Sequence, residues 1–185
     1  PVLETLIVSL LIANYQTLRV STILVATSTG AVFALLMPLA LLNAEGTGLE
    51  YTKTLPVSAN RIITSKTLIS TATYIPVPLT VLGMSIVKQL TSPFAVLIPF
   101  FTMLAIASAS IFEIKLFLGS AAKGRIAAVI RDAEKLAVGA LTILIPQFVY
   151  AASYFISFNH AIAALTMGAA SIAELAIATQ VLKHS

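Results

Sequence analysis

Residues 20–42 read VSTILVATSTGAVFALLMPLALL, twenty-three consecutive residues without a charge. A helix needs about 20 apolar residues to cross the hydrocarbon core of a bilayer. The run shows no period-two alternation of apolar and polar residues, which excludes a barrel strand. In lipid, only a helix satisfies its own backbone hydrogen bonds within one segment. This stretch therefore predicts a membrane-spanning helix.

Four further runs have the same character: Thr67–Val87, Phe94–Leu118, Leu136–Phe158 and Ala161–Leu182. Together they predict an all-α polytopic membrane helix bundle with five transmembrane helices. Residues 1–18 carry an apolar stripe of Leu3, Leu6, Ile7, Leu10 and Leu11, interrupted by Glu4, Asn14 and Gln16. They are expected to form part of a span, with a short sixth span or an interfacial helix as alternatives. Pro38, Pro76, Pro78, Pro99 and Pro146 fall inside the runs, where kinks are expected. No repeat or linker divides the chain, so residues 1–185 read as one transmembrane domain.

Composition points the same way. Of the 185 residues 58% are hydrophobic and 10% charged, with a mean hydropathy of +1.00. Soluble domains carry about 25% charged residues. The absence of cysteine excludes disulfides, a thiol nucleophile and thiolate metal sites. Two histidines, His160 at a loop and His184 near the C-terminus, leave little for an imidazole metal centre. No catalytic residue set, metal site or cofactor is expected. The basic pI near 9.5 is better explained by membrane orientation than by nucleic acid, and no nucleic-acid partner is expected.

The connections fix that orientation. With the loops around 43–66 and 119–135 and the C-terminus inside, nine basic residues become cytoplasmic: Lys53, Arg61, Lys66, Lys115, Lys123, Arg125, Arg131, Lys135 and Lys183. Only Arg19 and Lys88 stay outside. The positive-inside rule favours this arrangement, with a cytoplasmic C-terminus in the cell membrane.

The stretch 43–66 reads NAEGTGLEYTKTLPVSANRIITSK. It is expected to form a short helix, a break at Leu55-Pro56, and a second helix beginning at Pro56 or Ser58 and running into the next span. Proline suits a first helical turn and serine an N-cap. Residues 119–135 place Ile126, Val129, Ile130 and Ala133 at helical spacing among charges, which predicts an amphipathic cytoplasmic helix on the headgroups.

Glu45, Gly46, Leu55-Pro56-Val57-Ser58 and Lys66 resemble a motif of the permease subunits of type-2 ABC exporters. In that family an acidic residue, a nearby glycine, a Leu-Pro-Val/Ile-Ser step and a lysine follow the second span. The resemblance implies a coupling loop, to which Glu50 also belongs, that docks on a separate ABC ATPase subunit. It further implies a second permease copy or half as partner, besides the lipid bilayer. Family members have six spans preceded by an amphipathic helix. Residues 1–18 are too short for both, so the chain is expected to lack its N-terminal part or to be half of a longer permease. A phosphate loop needs its glycines just before the lysine, and Lys66 follows Ile62-Ile63-Thr64-Ser65. Hydrolysis would then belong to the partner, and the chain itself is not expected to be an enzyme.

Glu174 is the one carboxylate deep in a run, eight residues before Leu182, or about 12 Å along a helix. An intramembrane carboxylate is a functional candidate; a hydrogen-bonded or neutral glutamate at a helix interface is the structural alternative. Glu113 and Lys115, near the inner end of their run, are expected to snorkel to the headgroups. Small residues are dense in the last two runs and predict close packing within the chain, with a dimer interface as the alternative. Two other functions remain open: an anchoring subunit of another membrane complex, and a secondary transporter using Glu174.

Overall fold

The computed structural model describes residues 19–45, 59–90, 92–119 and 125–183. Its helices are α1 (Val20–Glu45), α2 (Ala59–Tyr74), α3 (Pro76–Val87), α4 (Leu97–Gly119), α5 (Arg125–Ser157) and α6 (His160–Lys183), with a short 3-10 turn at Pro93–Val96 before α4. The fold is an all-α bundle, and no strand occurs among the described residues. Five segments are long and apolar enough to cross a membrane: Val20–Met37, Asn60–Val87, Pro93–Leu116, Leu136–Ser157 and His160–Lys183. The expected partial span at 1–18 and the motif residues Gly46, Glu50, Leu55, Pro56 and Ser58 lie outside the described residues.

As expected, a polar helical stretch leads into the second span: α2 is described from Ala59 and carries Arg61 and Lys66 ahead of the apolar run. The hydrogen-bond ladder of that span is interrupted at Ile75, which keeps helical dihedrals (φ −49°, ψ −37°). Pro76 lacks an N–H, so the Ala72 carbonyl accepts from Ile75 N at 3.2 Å instead. A new helix then starts with Pro76 in its first turn. Pro78 and Pro99 likewise fall in the opening turns of α3 and α4, where a missing N–H costs nothing. Pro38 and Pro146 are well inside their helices, on α1 and α5.

The core centres on α4, against which α1, α2, α5 and α6 all pack. Thr102, Ala105, Ser108, Ala109 and Ser110 of α4 are buried. Small side chains let four neighbours approach one helix closely, which is how apolar helices associate in lipid. Ala163, Ala164, Gly168 and Ser171 of α6 are buried in the bundle too, as close packing within the chain requires. Gly168 seats the Phe101 ring: a Cβ there would fall 2.6 Å from Phe101 Cζ. Leu68, Ile86, Phe148, Phe155, Ile156 and Leu165 point outward and form the apolar exterior.

At one end, α5 turns into α6 through Phe158 (φ 49°) and Asn159. Asn159 Oδ1 accepts from Ala161 N at 2.8 Å and caps α6. His160 is therefore the first residue of a helix and not part of a loop. Its Nδ1 lies 2.9 Å from Tyr150 Oη, and its ring stacks on Tyr154 at 4.3 Å.

Candidate functional site

Polar groups converge inside the other half of the bundle. The Ser70 hydroxyl on α2 donates to the Ala34 carbonyl of α1 at 2.7 Å. Ser110 on α4 donates to Ser70 Oγ at 2.9 Å. Both serines are fully buried, so this chain of bonds ties three helices together where no water competes. One turn further along α4 sits Glu113, at 0% exposure. It lies against Gly139 of α5 and Leu35 of α1: a Cβ on residue 139 would run into Glu113 Oε1 and fall 2.5 Å from Leu35 Cδ1. Helices α1, α4 and α5 thus meet at one carboxylate.

This corrects the expectation that Glu113 snorkels. Two residues apart on a helix means roughly 200° around its axis at 3.6 residues per turn, so Glu113 and Lys115 cannot share a direction. Glu113 turns into the bundle. Lys115 turns toward α6, where its Nζ donates to the Val181 carbonyl at 2.5 Å. That bond satisfies one of the carbonyls left open in the last turn of α6.

The Lys115–Val181 and Phe101–Gly168 contacts show that α4 and α6 run parallel in nearly constant register. Glu174 therefore lies at the level of Ala107 and Ser108, near the middle of α4. Its two carboxylate oxygens are enclosed and have no hydrogen-bond partner among the described residues. Ser171 Oγ, one turn before it on α6, is in the same state. Glu174 and Glu113 occupy different levels, about 8 Å apart along the bundle by helical rise.

Two motif residues fall among the described ones. Glu45 is the last residue of α1, and Lys66 is half-buried on α2. A second polar bridge, Ser28 Oγ to Gln147 Oε1 at 3.1 Å, joins α1 to α5 beside Pro146. A cavity of about 120 Å³ lies next to it, with Leu35 and Ile143 in its wall. Among the described residues no group of three or more acidic, histidine or cysteine side chains is placed to hold a metal.

The Ser70–Ser110–Glu113 seam escaped notice at the level of sequence. Its available signal was the three-residue spacing of Ser110 and Glu113, which puts both on one face of α4. No family model matches the chain, and no curated protein or solved structure does either.

Proposed function

We propose that the chain is the membrane-spanning permease subunit of an ATP-driven ABC-type transporter, with its basic end in the cytoplasm of the cell. A separate ATPase subunit docks at that end, and a second permease copy or half completes the transporter. The observation that supports this reading is where the chain leaves the bundle and re-enters it. α1 ends at Glu45 and α2 begins at Ala59, so the stretch with Leu55-Pro56-Val57-Ser58 joins two spans at the end where Arg61, Lys66, Lys115 and Lys183 gather. A loop held at both ends by packed helices can pass movement from a docked partner into the bundle. The test is purification of the tagged chain in mild detergent, followed by identification of any soluble subunit retained. A nucleotide-hydrolysing partner supports the proposal; stable partners that do not respond to nucleotide support an anchoring subunit instead.

The enclosed oxygens of Glu174 favour a second reading, a secondary transporter in which this carboxylate carries a proton. Flux driven by a pH gradient without ATP, and abolished in Glu174→Gln, would establish it.

A further inference from the structure

An apolar groove runs down the outside of the bundle between α2, α4 and α6, with a volume of about 530 Å³. Small-ligand sites typically measure about 300–1,000 Å³. Thr64, Leu68, Thr71 and Ile75 share one face of the α2 segment and form one wall. Ile111 of α4 and Leu182 of α6 lie opposite. From Ile63 to Ile75 the wall is about 18 Å long by helical rise, over half of a bilayer's hydrocarbon thickness. The hydroxyls of Thr64, Thr71 and Thr179 all donate to carbonyls of their own helices, at 2.7–2.8 Å, and so present methyl groups to the groove.

Two features give this groove a polar end. Arg61 precedes Thr64 by three residues and Leu68 by seven, so it continues the same face of α2. Lys183 follows Thr179 by four residues on α6 and continues its wall. Both are exposed. Inward of them, about 9 Å along α2 from Arg61, Thr67 Oγ1 is buried in the groove wall and has no hydrogen-bond partner among the described residues. Two cations, then a lone donor, then an apolar channel follow one another in the order of phosphate, ester and acyl chain in a phospholipid.

We infer that the groove is a binding site for an anionic phospholipid of the leaflet at the basic end. Its phosphate lies between Arg61 and Lys183, an ester carbonyl accepts from the Thr67 hydroxyl once that side chain turns toward the groove, and one acyl chain fills the channel. The inference does not depend on the transporter reading.

The test is native mass spectrometry of the full chain, released from mild detergent after incubation with palmitoyl-oleoyl phosphatidylglycerol or phosphatidylcholine. The wild type should retain one phosphatidylglycerol in preference to phosphatidylcholine. Arg61→Gln with Lys183→Gln should cut that preference by roughly ten- to thirtyfold, the worth of two basic groups at an anionic surface. Ala72→Trp, which fills the groove from an exposed position, should abolish retention of both lipids. Leu165→Trp on the outer face of α6 should change nothing. Equal retention of the two lipids by the wild type, or retention unaffected by Ala72→Trp, would overturn the inference. So would a chain dimer that cross-links efficiently through Leu68→Cys, because a second copy would then occupy the groove.

Discussion

Glu113 Oε1 occupies the space that a Cβ on Gly139 would fill, so the buried carboxylate of α4 and the missing side chain of α5 are complementary. The glycine is required here for room, not for backbone freedom. Leu35 of α1 closes the same space from the third side. Gly139→Ala should therefore destabilise the bundle by about 1–3 kcal/mol, the usual cost of overpacking a filled interior. Glu113→Ala should relieve part of that clash. A double-mutant cycle on thermal unfolding in detergent checks this: the two changes together should cost less than their sum. Strict additivity would mean the two residues do not share the space.

Ser70 should matter more than Ser110. Ser70→Ala removes the donor to the Ala34 carbonyl and the acceptor for Ser110 together, whereas Ser110→Ala removes only one bond. Hydrogen bonds between helices in membrane bundles average about 0.6 kcal/mol and reach about 1.7. Ser70→Ala is expected near the upper end of that range, and Ser110→Ala near the average. Thermal unfolding of the two single variants would show the order, and a larger loss in Ser110→Ala would contradict the bonding direction.

Most of the fold is legible in composition and run length, because lipid leaves so few options for a backbone. The five long runs could only be helices, and all five are. What the runs could not reveal was where polar side chains turn. Glu113 looked like a headgroup residue because Lys115 follows so closely, yet the helical turn between them sends one into the core and the other to the Val181 carbonyl. The start of α2 near Ala59 was legible from turn chemistry, since Pro56 and Ser58 mark a helix N-terminus ahead of the apolar run. The interruption at Ile75 was legible, since Pro76 lacks the N–H that would have bonded the Ala72 carbonyl. Glu174 stood out in the sequence and is enclosed in the structure, but that its oxygens lack partners depends on how α4 and α6 pack.

Glu174 gives the third prediction. A buried polar group without hydrogen bonds costs stability, and replacing it by an apolar side chain of similar size returns that cost. Glu174→Leu should raise the thermal unfolding midpoint in detergent. If the residue is retained for function, transport should fall in the same variant, a trade of stability for activity. A lower midpoint would show that the carboxylate is satisfied in the membrane by water or a neighbouring subunit.

Orientation is open to labelling because the chain has no cysteine. A single cysteine at Ala59, at the basic end of α2, should react with a membrane-impermeant maleimide only once the cytoplasmic face is opened. One at Gln89, exposed beyond the other end of the same span, should react in intact cells. The reverse pattern would invert the bundle and remove the Glu45–Ser58 stretch from the reach of any cytoplasmic ATPase.

The proposed docking of an ATPase on that stretch is open to direct measurement. Proline fixes its own φ and restricts the residue before it, so Leu55-Pro56 can hold a docking segment at a set angle to the spans. Glu45 and Glu50 offer charge-assisted hydrogen bonds to a partner. The most direct measurement is ATP hydrolysis and substrate flux by the candidate ATPase, reconstituted in vesicles with either the wild-type chain or the Glu45→Ala, Pro56→Ala variant. Both chains should insert equally, because the apolar runs are untouched. The wild type should couple hydrolysis to flux, while the variant should lose the ATPase or hydrolyse without transport. Equal ATPase recovery with unchanged coupling in the variant would contradict the proposed docking.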